Sequence, residues 1–304
     1  MRRRIGIAGA GAWGSALAHV AGKAGHEVSM WSRGQAPAQL SACDAVIIAV
    51  PAQVARDVMT VIKPAVRKGL PLIIGAKGIE QSTGRFMHEV VAEVVPDARA
   101  MVLSGPGFAA DVMRGLPTAV VLAAASLAEA GEWAEALTVP SFRIYNSGDV
   151  RGVEIGGALK NVLAIACGIA DGRGLGDSAR AALTTRGFAE LMRFGRKLGA
   201  KPETLIGLSG LGDLLLTCSS KQSRNHAFGL AIGTGRTVAE AFARSAGVVE
   251  GAFTVKIAFE LARRHGLDTP IIDAVHAIVD AHASPQEEIA RLLARPVRHE
   301  LEEM

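Results

Sequence analysis

The sequence predicts an α/β fold, a doubly wound sheet followed by an all-helical second domain, and three observations predict it. Short β-branched apolar runs alternate with helix-length segments through the first half, the runs are continuously apolar, and strand signals stop near Val150. Continuous apolar strands belong to a sheet covered on both faces, which places helices on either side of it. In chain order the strands are IGIA, EVSMW, AVIIAV, LPLIIGA, AMVLS, AVVLA and FRIY, separated by stretches with helical apolar spacing. The later half reads as helices, among them GVEIGGALKNVLAIACGIA, ARAALTTRGFAELMRFGRKLG and VKIAFELARRHG, with glycine and proline at their ends. The expected organisation is a nucleotide-type domain over residues 1–150, a helical domain over 151–304, and a cleft between them.

Composition narrows the function classes. A chain of 304 residues, 49% hydrophobic, is large enough for two cores. The net charge of +4 is scattered and only 4% of residues are aromatic, so an anionic small molecule fits better than nucleic acid. Cys43, Cys167 and Cys218 lack metal-ligand spacing, which points to a reduced, cytoplasmic setting and no metal. The apolar run IGIAGA is too short for a signal peptide, and AVVLAAASLAEA is interrupted before bilayer length, so no membrane partner is expected.

The first strand runs into Gly9, Gly11 and Gly14 in GxGxxG spacing, followed by an alanine-rich helix and a second strand. That context turns a weak motif into a Rossmann-type dinucleotide fingerprint. Gly9 permits the tight turn, Gly11 leaves room for a pyrophosphate at the helix N-terminus, and Gly14 lets helix and sheet pack. A glycine-rich turn without a ligand is the plain alternative. At the tip of the second strand stand Met30, Trp31, Ser32 and Arg33, with no carboxylate for ribose hydroxyls. Arg33 suits a 2′-phosphate, which favours NADP with NAD as the alternative, unless Arg33 is only a solvated charge.

Other signals fall at the carboxyl ends of predicted strands, where open α/β sheets hold their ligands. Pro51 follows AVIIAV, Lys77 follows LIIGA, and Gly105 to Gly107 follow AMVLS. An ammonium directly after an apolar strand needs an anion or a carboxylate partner. Lys160 poses the same question more sharply, because Ala158, Leu159, Val162 and Leu163 surround it.

The segments GAGAWGSALA, AKGIE, SGPGFAADV, GGALKNVLAIACGIADG, LTTRGFAEL, GLGDLLLTCSSKQSRN and VVEG, in this order, resemble the bacterial NAD(P)-dependent glycerol-3-phosphate dehydrogenases. The resemblance runs to about residue 270 and rests most on GGALKN, GLGDLLLTC and SRN. It implies hydride transfer between C2 of glycerol 3-phosphate and a nicotinamide, supplying glycerol 3-phosphate for phospholipid synthesis. It makes Lys160 the group that exchanges a proton with the C2 oxygen, a task for which burial and Lys77 should lower its pKa while Asp213 opposes them.

The resemblance also implies catalytic roles for Lys77 and Asp213, and a substrate lining of Gly105, Gly107, Asn161, Thr217, Ser223, Arg224 and Asn225. On the cofactor side it implies Ala12, Trp13, Pro51, Lys77, Ala109, Arg224, Val248 and Glu250 beside the fingerprint glycines and Arg33. For Ser223 and Asn225 a capping role is the alternative, and for Glu250 a solvated charge.

Departures from the family are evident. GQAPAQLSA, after Arg33, is much shorter than the family's asparagine- and YLP-containing segment, and Ala12 stands where serine is common. Gly107 replaces a Ser or Thr, Ser178 an asparagine, and Asp111 a glutamate. The GG..KN helix is also similar to that of 6-phosphogluconate and β-hydroxyacid dehydrogenases, but Asp213, Thr217 and SRN argue for the first family. A non-catalytic NADP-binding sensor would not keep both lysines. A homodimer is expected from apolar patches on such helical domains.

Overall fold

The computed structural model describes residues 1–297 and divides the chain into two compact units. One comprises Met1–Glu80 and Arg85–Glu154, the other Gln81–Gly84 and Ile155 onward. The division falls inside a helix that begins at Val150.

The first unit runs β1 (Arg4–Ala8), α1 (Ala12–Lys23), β2 (Glu27–Trp31), β3 (Ala45–Ile48), α2 (Ala52–Ile62), β4 (Pro71–Ile74) and α3 (Met87–Val94). It continues with β5 (Arg99–Ser104), α4 (Ala109–Met113), β6 (Thr118–Ala124), α5 (Leu127–Leu137), β7 (Phe142–Ser147) and the start of α6 (Val150–Gly172). All the runs expected as strands form one seven-stranded sheet of order β2-β1-β3-β4-β5-β6-β7. Every pairing is parallel except β5 with β6.

The side chains explain why those runs read as continuously apolar. Val46, Ile48, Leu72 and Ile74 enter a core with Met59 and Met87, whereas Ile47 and Ile73 join Ile5, Ile7, Leu17 and Leu103 in another. Alternate residues of one strand thus serve two cores, as burial on both faces requires. Because β1 lies between β2 and β3, the strand order reverses there. The chain leaving β1 and the chain leaving β3 diverge at that point, which opens a crevice beyond their carboxyl ends.

The connection from β2 to β3 contains only a short 3₁₀ turn, Pro37–Leu40. Leu40 is buried beneath it, and the Gln39 side-chain amide donates to the Met30 carbonyl of the edge strand β2 at 2.8 Å. Asp149 caps α6, its Oδ1 accepting from the Gly152 N–H at 2.8 Å.

Among the described residues, the regular elements of the second unit are all helices. After α6 come α7 (Asp177–Lys197), α8 (Pro202–Leu205), α9 (Asp213–Ser219), α10 (Arg224–Gly233), α11 (Val238–Ala243), α12 (Glu250–Arg264), α13 (Pro270–Val279) and α14 (Pro285–Leu293). Helix α6 is long and apolar enough to cross a membrane, a length the sequence reading did not single out, yet its most apolar window is entirely buried. Its packing is backbone to backbone. A Cβ on Gly168 would lie 2.1 Å from the His226 carbonyl oxygen of α10, and one on Gly229 would lie 2.1 Å from the Ile165 oxygen of α6. Only glycines allow two helices to approach so closely.

Candidate active site

In the first unit the fingerprint glycines divide the work as the spacing predicts. Gly9 has φ 121°, and a Cβ there would meet the Ala49 carbonyl oxygen at 2.6 Å. A Cβ on Gly14 would sit 1.9 Å from the Gly9 oxygen, so this glycine is fixed by packing. A Cβ on Gly11 has nothing within 4 Å, so its neighbourhood is open. Gly11 also caps α1, which carries no acidic residue in its first turn and no side-chain cap. Free N–H groups, a positive helix end and open space together fit a dinucleotide pyrophosphate.

Around this turn the structure places several of the expected residues. The Trp13 Nε1 is buried without a partner, and a Cβ on Gly75 or Gly107 would come 3.0 or 3.7 Å from the indole. Lys77 lies beyond β4, its Nζ 5.9 Å from the Trp13 ring centroid and donating to the Gly105 carbonyl at 2.8 Å. Gly105 has φ 136°, and a Cβ there would meet Val120 Cα at 2.9 Å. Pro51 caps α2, and Ala109 opens α4 after Gly107.

Arg33 is exposed in a turn fixed by three hydrogen bonds. The Trp31 indole donates to the Gln35 carbonyl at 3.0 Å, the Ser32 N–H to Gln35 Oε1 at 3.0 Å, and the Gln35 N–H to the Ser32 carbonyl at 3.2 Å. Sequence reasoning passed over Ser104, whose Oγ is buried at the end of β5 with no partner. Its place as the first residue of SGPG was the available signal.

In the second unit Lys160 answers for its apolar neighbours. Its Nζ donates to Asp213 Oδ1 at 2.5 Å and to Thr217 Oγ1 at 2.9 Å, and the threonine hydroxyl donates on to Asp213 Oδ1 at 3.2 Å. All three side chains are buried. Two local features bring them together. A π-helical turn, Leu208–Gly212, leads into α9 and sets Asp213 at its first position, with Thr217 a turn later on the same face. Gly156, a turn before Lys160, would put a Cβ 2.6 Å from the Ser209 carbonyl oxygen, so its lack of a side chain lets α6 lie against that turn. Ser209 is a further residue missed in the sequence, its Oγ buried without a partner.

The neighbouring thiol adds no charge. Cys218 shares a hydrogen bond with Cys167 of α6, and that bond together with burial pushes its pKa up, so it stays a neutral thiol beside the lysine.

Asn161 and Asn225 form a brace. The Asn225 amide donates to Asn161 Oδ1 at 2.8 Å and accepts from the Gly251 N–H at 2.9 Å, while Asn161 donates to the Gly157 carbonyl at 3.3 Å. These bonds tie α6, α10 and the first turn of α12 together. Ser223 caps α10 through the His226 N–H at 3.2 Å, leaving Arg224 exposed at the helix start beside Gly247. Val248 is half-buried and Glu250 is buried in the first turn of α12.

A glycine turn shaped for a dinucleotide and a dry lysine held by a carboxylate define a nucleotide-dependent oxidoreductase. Comparison with known proteins makes the family specific. Models of the NAD-dependent glycerol-3-phosphate dehydrogenase N-terminus and C-terminus match residues 4–40 and 35–130, and 149–290. A glycerol-3-phosphate dehydrogenase [NAD(P)+] of Brucella ovis is 46% identical over 330 aligned positions, covering 99% of this chain and all of that protein. One from Parvibaculum lavamentivorans is also 46% identical, covering 98% of each. The crystal structure of the Coxiella burnetii glycerol-3-phosphate dehydrogenase superposes with a TM-score of 0.92 at 37% identity, covering 97% of this chain and 99% of that one.

The chain belongs to the NAD-dependent glycerol-3-phosphate dehydrogenase family. The N-terminal family match breaks at residues 35–40, in the short connection between β2 and β3. An alignment of 330 positions against 304 residues means that the relative carries residues this chain lacks.

Proposed function

We propose that the protein catalyses the NAD(P)-dependent interconversion of sn-glycerol 3-phosphate and dihydroxyacetone phosphate. The observation that carries this reading is the buried Lys160–Asp213–Thr217 cluster, formed where the family segments GGALKN and GLGDLLLTC meet. A bound nicotinamide supplies or accepts the hydride at C2. Lys160 is proposed to exchange the proton on the C2 oxygen, giving it up during ketone reduction and taking it during alcohol oxidation. Asp213 and Thr217 orient the amine through two of its N–H bonds, and in a dry site they do so with little reorganisation.

Lys77 is proposed to hold positive charge beside the carbonyl oxygen and the cofactor, with Gly105 and Gly107 leaving space for both. The exposed guanidinium of Arg224, at the start of a helix, suits a phosphate dianion, with Ser223 and Asn225 shaping that helix start. Asn161 supports the same region through its bond to Asn225. Gly9, Gly11, Ala12, Trp13, Gly14, Pro51, Ala109, Val248 and Glu250 complete the proposed cofactor contacts. Arg33 supports NADP over NAD, because it offers a guanidinium where an NAD site offers a carboxylate.

The product would feed glycerophospholipid synthesis in the cytoplasm, and a homodimer is the proposed assembly. Steady-state reduction of dihydroxyacetone phosphate with NADPH and with NADH tests the reading. Lys160→Ala should lower kcat about 10²–10⁴-fold while leaving cofactor binding intact. Unchanged turnover rejects Lys160 as the proton-exchanging group.

A further inference from the structure

Helix α10 lies against α6 through glycines, and such packing leaves a freedom open. Gly168 and Gly229 bring the two backbones together, but a face without side chains has no ridge to stop one helix from rolling on the other. The first turn of α10 supplies the stops. Asn225 bonds to Asn161, and His226 engages a second point of α6, its Nε2 lying 2.9 Å from Asp171 Oδ2.

The Asp171 contact is built as an anchor. Asp171 stands in the last turn of α6, where the negative end of the helix dipole disfavours a carboxylate. Arg180 of α7 offsets this, its Nη1 donating to both carboxylate oxygens at 3.0 Å while its Nη2 bonds to Asp177 at 2.6 Å. A carboxylate paired with a guanidinium is ionised and can only accept, so the His226 ring presents Nε2–H to it. The ring is 2% exposed, and its Nδ1 is buried with no hydrogen-bond partner, so Asp171 is its whole polar attachment.

Arg224, two positions earlier, is exposed. Residues two apart on a helix point to nearly opposite sides, so seating the ring on Asp171 turns the Arg224 guanidinium outward. The His226 N–H also donates to the capping Ser223 Oγ at 3.2 Å, which ties the same residue to the start of the helix. We infer that His226 is a positioning residue for the substrate phosphate, fixing the rotation of the first turn of α10 and with it the aim of Arg224, given that Arg224 holds that phosphate as proposed.

Two substitutions of similar volume separate the hydrogen bond from packing. His226→Gln keeps an N–H donor near the position of Nε2, whereas His226→Leu fills the space without one. In steady-state reduction of dihydroxyacetone phosphate, His226→Leu should raise KM about ten-fold and weaken competitive inhibition by inorganic phosphate equally, as loss of a charge-assisted bond implies. Turnover and the KM for NADPH should hold, because only ground-state binding of the phosphate is lost. His226→Gln should stay within about three-fold of wild type in both measurements, and both variants should melt within a few degrees of it. Asp171→Asn weakens the same bond from the α6 side, so it should raise KM severalfold and add nothing when combined with His226→Leu.

Equal KM values in His226→Gln and His226→Leu, or a melting loss in His226→Leu with KM unchanged, overturn the positioning role. Arg224→Ala tells that failure from a deeper one. A raised KM in Arg224→Ala with unchanged values in His226→Leu and Asp171→Asn rejects the positioning role alone. An unchanged KM in Arg224→Ala rejects Arg224 as the phosphate ligand, and the role of His226 with it.

Discussion

The turn from Gly9 to Gly14 and the cluster around Lys160 reach their geometry by opposite means. The turn is shaped by missing side chains within one short stretch, and its contacts are with its own backbone and the neighbouring strand end at Ala49. The cluster is shaped by side chains brought from positions 53 residues apart, held by an ion pair and a hydroxyl inside the protein. A site built from absences is insensitive to charge and intolerant of volume. A site built from a buried pair is the reverse, because an uncompensated charge is costly whereas modest changes of shape are not.

The contrast is broken most severely at Asp213. Asp213→Ala should cost about 3–5 kcal/mol in urea unfolding, because it takes the carboxylate away from a buried ammonium. Adding Lys160→Met should recover much of that loss although activity stays absent; a double variant as unstable as the single one would show that the charge is not the cause.

Glu190 sharpens the point, since it is a buried carboxylate with backbone N–H partners in place of an ammonium. Burial pushes its pKa up to about 8 from 4.5, even though those N–H groups pull the other way. The folded state then binds a proton that the unfolded chain releases, so stability should fall as pH rises from about 4.5 to about 8. The effect is on the order of 5 kcal/mol across that window. Unfolding of Glu190→Gln followed from pH 5 to pH 9 should lack this slope; an unchanged slope assigns it to another group.

Within the glycine turn, two single-methyl insertions should part company. Gly14→Ala drives a Cβ to 1.9 Å from the Gly9 oxygen and should lower the melting temperature sharply. Gly11→Ala meets no protein atom within 4 Å, so stability should hold while cofactor affinity, read by fluorescence titration, drops about ten-fold. Equal melting losses in the two would mean that Gly11 is a packing glycine. The smallest expected effect is at Arg33. Arg33→Ser should weaken NADPH severalfold and leave NADH binding unchanged, consistent with loss of an exposed charge-assisted contact.

Legibility in the sequence followed the same division. The strands and the glycine turn could be read directly, because burial on both faces writes itself as unbroken apolar runs and a tight turn writes itself as glycine. Lys160 stood out among Ala158, Leu159 and Val162 as an ammonium in core company. Its partners did not, because nothing local in GLGDLLLTC says that Asp213 faces α6; only the likeness to a family brought them together. The π-helical turn and the approach of Gly156 to Ser209 were hidden for the same reason, since both are properties of pairs distant in sequence. The bond between Asn161 and Asn225 is of the same kind, joining residues 64 positions apart that no local pattern pairs.

Helix α6 carries a consequence for how the chain is made. It leaves the ribosome as a greasy rod with the hydropathy of a bilayer span, and the helix that packs against its glycines, α10, is translated only after α7, α8 and α9. At about 5–20 residues per second that interval lasts several seconds. Throughout it, a segment destined for the interior is naked to the targeting and holding machinery of the cell, so biogenesis of this protein should lean on a nascent-chain chaperone at that stretch more than at any other.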